Sequence, residues 1–182
     1  MGFFSNLFGK KDAAITDARR IYSKLMSQAR QPAFYGAGKA PDNYDGRIDI
    51  LTLHIAVILR ALSFHGEQGE RLSQALYDVM RDDFEVAMRE EGLSDTGIKK
   101  RIKPMMKLFF TRVKSYAEAV ADKDGQAKLT ETFENGLFAE QQTDYPAKLA
   151  AYALQFYQKF DGLTLGQIAM VEFSFPSEPS SI

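Results

Sequence analysis

Residues 48–62 read IDILTLHIAVILRAL, and this stretch decides the fold. Apolar side chains occupy nearly all sides of its helical wheel, which is typical of a helix that its neighbours cover. A buried strand would also be apolar, but strands are usually shorter than this run. The stretch therefore predicts a central helix around which the rest of the chain packs.

A loop and an amphipathic helix precede the central helix. Residues 33–46 are dense in glycine, proline, asparagine and aspartate, which predicts a loop. Upstream of the loop, apolar residues recur at helical spacing from Ile15 to Ala29, with polar residues between them. This pattern predicts an amphipathic helix that lays one face on the core.

Further amphipathic helices follow the central one. They are predicted near residues 72–88, 98–116, 129–138 and 149–157, with a last turn or two at 165–171. Ser94 and Asp95 offer N-cap chemistry for the second of these helices, and Pro104 inside it predicts a kink or a break. Because no run alternates as strands do, we predict an all-α fold, a single-domain irregular bundle of about six or seven helices.

Composition narrows the functional classes. The 182 residues include 23 Lys and Arg against 24 Asp and Glu, so no overall field draws the molecule onto nucleic acid, and we expect no DNA partner. The chain has no cysteine, which excludes disulfides, thiolate metal sites and a thiol nucleophile and suits a reducing compartment. The apolar stretch is interrupted by polar residues and is shorter than the ~20 residues that span a bilayer, so we do not expect an integral membrane protein.

The two ends of the chain differ from its middle. We predict an N-terminal amphipathic or flexible segment at residues 1–11, a helical domain at 12–173 and a disordered, Pro/Ser-rich tail at 174–182. The N-terminal segment fits neither a secretory signal nor an organelle presequence. It reads either as a frayed terminus or as a membrane foot made of Phe3, Phe4, Leu7 and Phe8, followed by two lysines.

The sequence offers little on which to build catalysis. His54 and His65 are the only histidines, and no paired metal-ligand spacing, nucleophile motif or phosphate-binding glycine loop occurs. We therefore predict a protein that is not an enzyme and has no catalytic residue, metal ligand or cofactor. The alternative is a lipid- or quinone-modifying enzyme in which His54 is the base.

Three polar residues interrupt the central helix. Asp49, His54 and Arg60 must each find a partner or reach water, because burying an unpaired polar group is costly. We expect structural anchors, and we expect His54 to be buried and hydrogen-bonded. Arg47 and Asp49 are equally placed to hold the preceding loop against the bundle.

Charge is unevenly distributed along the later helices. Residues 78–95 are rich in acid, and the next helix is rich in base. The basic residues form a stripe that suits the phosphates of RNA, anionic lipid or an acidic protein, unless the acidic neighbour neutralises it. The residues predicted to contact a ribosome or a membrane are Lys99, Lys100, Arg101, Lys103 and Lys107.

Two blocks of the chain carry a distinctive pattern. Residues 34–62 contain Pro41-Asp42, Tyr44, Asp45-Gly46-Arg47, Asp49, Leu53-His54 and Leu59-Arg60. Residues 82–120 contain Arg89-Glu90, Gly92, Ser94-Asp95, Gly97, Lys100 and Lys103. In this order the two blocks resemble the ubiquinol-cytochrome c chaperone family, although Pro104 departs from the ordinary helix formers expected at its position.

The resemblance implies a binding function. It implies a non-enzymatic chaperone that binds newly made cytochrome b and supports assembly of the bc1 complex. The absence of a presequence favours a bacterial member in the cytoplasm, peripherally associated with the inner membrane. A small partner protein and the ribosome are further candidate partners, and a ribosome- or RNA-binding module acting through the basic helix near residues 99–114 is the alternative.

We expect the client to lie in a groove rimmed by the loop of residues 34–47. Methionine and phenylalanine are abundant and give an adaptable apolar surface. The residues predicted to bind a client or partner are Phe34, Tyr35, Tyr44, Arg47, Asp49, His54, Arg60, Arg89, Glu90 and Asp95.

Overall fold

A computed structural model describes residues 3–139 and 141–179, with side chains from residue 13 onward. Seven α-helices occur in the described part: α1 (Phe3–Ala29), α2 (Tyr44–Leu62), α3 (Gly66–Glu90), α4 (Asp95–Val120), α5 (Gly125–Asn135), α6 (Tyr145–Gln158) and α7 (Leu165–Ala169). Two short 3-10 turns, Pro32–Phe34 and Ser63–His65, flank α2, and these described residues form no strand. The predicted all-α bundle is confirmed.

Helix α2 is the centre of the bundle. Every residue from Asp49 to Ile58 is buried, and the helix packs against α1, α3, α4 and α6. By length and composition alone, the stretch Tyr44–Glu90 contains a window that could cross a membrane, with mean hydropathy 1.5, but 67% of that window is buried inside the protein. Its apolar character is accounted for by the core.

Close backbone packing explains a glycine at the start of α2. The Asn43 side chain caps the helix by accepting a hydrogen bond from the Gly46 amide at 2.9 Å. A Cβ at residue 46 would lie 2.1 Å from the carbonyl oxygen of Pro41, closer than any side chain tolerates. Only glycine therefore lets the loop fold back onto the first turn of α2.

Helix α4 begins as predicted but does not break. The Ser94 hydroxyl accepts a hydrogen bond from the Gly97 amide, so the predicted N-cap is confirmed. The helix continues through Pro104, so a break there was wrong. Pro104 and Lys100 lie on the exposed side of α4, where water can satisfy the Lys100 carbonyl that the missing Pro104 amide leaves without a donor.

The chain after α7 is tied to α1. Lys24 donates from its ammonium to the carbonyls of Val171 and Phe173, and this ammonium lies 4.5 Å from the centre of the Phe173 ring. Phe175 then packs on Phe156, with ring centres 5.0 Å apart. The first residues of the predicted tail thus follow the body, and the proposed domain boundaries stay a prediction.

The predicted N-terminal foot lies at the start of α1. The backbone of residues 3–12 is helical and continuous with α1. The side chains of Phe3, Phe4, Leu7 and Phe8 lie outside the described residues, so their role stays a prediction.

Replacing Pro104 by alanine should stabilise the protein. The change restores a hydrogen bond within α4 and removes a ring clash, so the free energy of unfolding should rise by up to about 3 kcal/mol, measured by urea denaturation. The matched control is Pro32→Ala, because Pro32 is exposed at the first position of a 3-10 turn, where proline is well tolerated. Equal effects of the two changes would contradict a penalty specific to the interior of α4.

Candidate functional site

The N-terminal end of α2 brings the two sequence blocks together. Tyr44, the first residue of α2, is 54% exposed, and its hydroxyl lies 3.7 Å from the sulfur of Met105 in α4. Partial burial raises the pKa of Tyr44; the nearby Glu91 adds to this shift and Arg101 opposes it. The exposed Tyr44 and the half-buried Met105 therefore form an apolar surface patch with a charge of each sign beside it, which we call the Tyr44 patch.

An ordered loop supports the Tyr44 patch. Arg47 places its Nε and Nη2 atoms each 2.7 Å from Oδ1 of Asp42. The Arg47 guanidinium also lies 5.0 Å from the centre of the Tyr35 ring, whose hydroxyl donates to the Ala29 carbonyl. Phe34 is fully buried beneath these groups. Arg47 thus holds the loop, as one of the two sequence interpretations predicted.

Below the loop, a buried carboxylate joins α2 to α4. Oδ1 of Asp49 lies 2.9 Å from the Arg112 guanidinium and accepts a hydrogen bond from the Tyr116 hydroxyl at 3.2 Å. Burial raises the pKa of Asp49, and Arg112 opposes the shift. Removing one partner of such a pair leaves a buried charge without compensation, which costs about 3–5 kcal/mol. Asp49 is therefore an anchor between two helices.

Arg112 is a residue that sequence reasoning missed. It lies three residues after Phe109 and four before Tyr116, both of which are buried. That spacing places Arg112 at the edge of the apolar face of α4. A basic residue at the edge of an apolar face could have indicated, from sequence alone, that a buried acidic residue lies opposite it.

His54 lies in the core and is hydrogen-bonded at both nitrogens, as predicted. Its Nδ1 lies 2.7 Å from the Ile50 carbonyl, which can only accept, so Nδ1 carries the proton. Its Nε2 therefore accepts from the Tyr152 hydroxyl at 2.8 Å, and Gln28 donates to the same hydroxyl at 3.2 Å. Burial lowers the pKa of His54 to about 4. With no exposed surface, this neutral imidazole is not placed to reach a substrate.

The remaining predicted binding residues lie elsewhere. Arg60, at the far end of α2, stacks its guanidinium 4.7 Å from the centre of the Phe64 ring. Arg89 lies 3.7 Å from Asp95, and Glu90 is exposed at the end of α3. Arg60 is thus separated from the Tyr44 patch by the length of α2, and the binding roles of these residues stay predictions.

The basic stripe on α4 is exposed and carries unneutralised charge. Its members form no ion pair within the described residues: Lys99, Lys100, Arg101, Lys103 and Lys107. Acidic residues of α3 instead pair with arginines of their own helix. Glu85 lies 3.7 Å from Arg81 and 3.6 Å from Arg89, and Asp82 lies 3.1 Å from Arg81. These pairs leave the stripe without the acidic partners expected from the neighbouring helix.

Comparison with known proteins identifies relatives. The family described as Ubiquinol-cytochrome C chaperone matches residues 37–175, well over half of the chain. A solved structure, described as the crystal structure of the Cbp3 homolog from Brucella abortus, is 26% identical, with a TM-score of 0.79 over 96% of this chain and 97% of that one. No match was found among the curated proteins.

Acid should weaken the fold through His54. The unfolded imidazole has an ordinary pKa near 6.5 and the folded one a pKa of about 4, so between these values the unfolded state binds more protons and stability falls as the pH is lowered. The expected loss is up to about 3 kcal/mol, measured by urea denaturation from neutral pH to pH 4.

The two histidines provide a matched pair of variants. His54→Gln should flatten the pH dependence, because it removes the titrating group, whereas His65→Gln keeps the buried His54 imidazole and the acid sensitivity that it causes. A wild-type pH profile that survives in His54→Gln would assign the acid sensitivity to carboxyl groups.

Proposed function

The chain belongs to the ubiquinol-cytochrome C chaperone family, and from this premise we propose that it is a non-enzymatic assembly factor for the bc1 complex. We propose that its client is newly made cytochrome b. The family match over residues 37–175 carries the proposal, and the full-length similarity to the Cbp3 homolog supports it. Since the client is a membrane protein, the proposed location is the bacterial cytoplasm at the inner membrane.

We propose the Tyr44 patch as the surface that contacts the client. A chaperone for an apolar segment needs an exposed surface that can adapt its shape, and methionine beside tyrosine supplies one. Glu91 and Arg101 border this surface and suit the polar ends of a membrane segment. Of the other predicted binding residues, those that are buried act indirectly: Phe34, Tyr35, Asp49 and His54 hold the loop and the helices beneath the patch.

The alternative function is binding of the ribosome or RNA through α4. The unpaired basic stripe favours it, because cations without intramolecular partners are available to phosphates. A salt titration separates the two functions, since phosphate contacts weaken steeply with salt and apolar client contacts do not. A small partner protein stays a further expectation without an assigned surface.

Loss of the gene should impair one respiratory complex. In a strain grown where the bc1 complex is needed, deletion should lower assembled bc1 complex and spectroscopic cytochrome b and leave other respiratory complexes largely intact. Complementation with the wild-type gene should restore both. Normal bc1 levels in the deletion strain would contradict the proposed function.

Tyr44 can be tested against another exposed aromatic residue. Tyr44→Ala should weaken capture of cytochrome b roughly thirtyfold, corresponding to about 2 kcal/mol for an aromatic anchor, in a crosslinking pull-down from respiring membranes. The control is Phe64→Ala. Phe64 is 66% exposed but lies beyond the other end of α2, about 30 Å from Tyr44 at the rise of a helix. If both variants capture cytochrome b equally well, the client surface lies outside the Tyr44 patch.

A further inference from the structure

Two exposed apolar side chains border the lysines of α4. Leu108 is 52% exposed and Phe110 is 48% exposed. At 3.6 residues per turn they lie roughly 160° apart around the helix axis, and Lys100, Lys103 and Lys107 lie in the arc between them. The outer face of α4 is therefore a basic strip with an apolar margin on either side.

The same face carries an open apolar groove. Its volume is about 640 Å³, and its lining consists of Lys103, Pro104, Lys107, Phe110 and Thr111. The exposed Pro104 ring forms one wall and Phe110 another. Long lysine side chains at such a site can lay their methylene groups along the apolar surface while their ammonium groups reach outward.

Charge at this face has one sign. No acidic residue occurs in α4 between Thr96 and Ala117. In α3, Asp82 and Glu85 are paired with arginines of their own helix, as described above. An occupant that fits this face is therefore anionic. It also has apolar groups directly beneath its charged surface, where the apolar margins can reach them.

We propose that the outer face of α4 docks on an anionic lipid bilayer, with the helix parallel to the membrane plane. The ammonium groups contact lipid phosphates, and Leu108, Phe110 and Pro104 enter the boundary between headgroups and acyl chains. A phosphate backbone of RNA satisfies the lysines equally well but offers no apolar environment to leucine and proline. The apolar margins thus favour lipid over RNA.

Docking of this kind places the proposed client surface at the membrane. Met105, which contacts Tyr44, lies three residues before Leu108, so the Tyr44 patch borders the lipid-facing side of α4. The biological use of this surface rests on the proposed function, because a membrane-protein client is what requires a chaperone at the bilayer. The lipid contact itself depends only on α4.

The first test is sedimentation of the full chain with vesicles of phosphatidylcholine, with or without phosphatidylglycerol. Wild type should bind only the anionic vesicles. Lys103→Glu with Lys107→Glu should weaken binding at least ~25-fold, since each basic side chain near an anionic surface contributes about fivefold. The matched control, Lys123→Glu with Lys159→Glu, makes the same charge change at exposed positions outside α4 and should keep binding within about twofold of wild type.

The apolar margins have their own pair of variants. Leu108→Ser with Phe110→Ser should weaken vesicle binding about tenfold, whereas Phe64→Ser with Val86→Ser, also at exposed apolar positions, should not. All four double variants keep the N-terminal segment, so its contribution is common to them. A loss confined to the lysine variant, with ribosomal RNA bound in place of vesicles, would assign the face to RNA and overturn the proposal.

Fluorescence gives a direct measure of insertion. The chain has no tryptophan, so Phe110→Trp creates a single probe whose emission should shift to shorter wavelength with anionic vesicles, while Phe64→Trp should not shift. Failure of wild type to bind anionic vesicles, or equal spectra for both probes, would overturn lipid docking. The lipid proposal and the client proposal can fail separately, because Tyr44→Ala should lose client capture and still bind vesicles normally.

Discussion

The burial of α2 from Asp49 to Ile58 is the constraint on which the rest of the structure depends. This segment encloses the polar side chains of Asp49, Thr52 and His54, and a buried polar group without a partner costs about 1–3 kcal/mol. Thr52 is satisfied within its own helix, by the Ile48 carbonyl at 2.7 Å. Asp49 requires α4 and His54 requires α6, so these two hydrogen-bonded contacts set the rotation of α2 against both neighbours.

Local sequence patterns were sufficient to locate the helices. They were insufficient to identify which side chains contact each other between helices. Helical periodicity located the helices, Ser94 located the start of α4, and the apolar surroundings of His54 predicted its burial. The partner of His54 is Tyr152, 98 residues away, and one partner of Asp49 is Tyr116, 67 residues away. Periodicity carries no information about such distant pairs. Of the kink or break predicted at Pro104, the break does not occur, for a related reason: the local rule omits the packing of Phe109 and Val113, which holds α4 together.

The residues that carry the family resemblance include some that maintain the fold and one that is exposed at the surface. The sequence alone could not distinguish these two kinds. Gly46, Asp49 and His54 maintain the fold through close backbone approach and buried hydrogen bonds. The Tyr44 side chain, in contrast, lies at the surface and contacts Met105. Only the three-dimensional arrangement shows that Tyr44 of the first sequence block contacts Met105 of the second. That contact is formed before any client arrives, so binding there requires little rearrangement of the backbone.

The pairing of acids within α3 has an effect at long range. The whole chain has a formal net charge of −1, yet the α4 stripe concentrates positive charge on one side, so the remainder of the molecule is negative. Such a molecule is an electric dipole of nearly zero net charge. An anionic surface attracts it little as a whole but exerts a torque on it within about a Debye length, near 8 Å at physiological ionic strength. Near an anionic surface this torque favours the orientation in which α4 faces the surface before contact. Salt weakens this alignment.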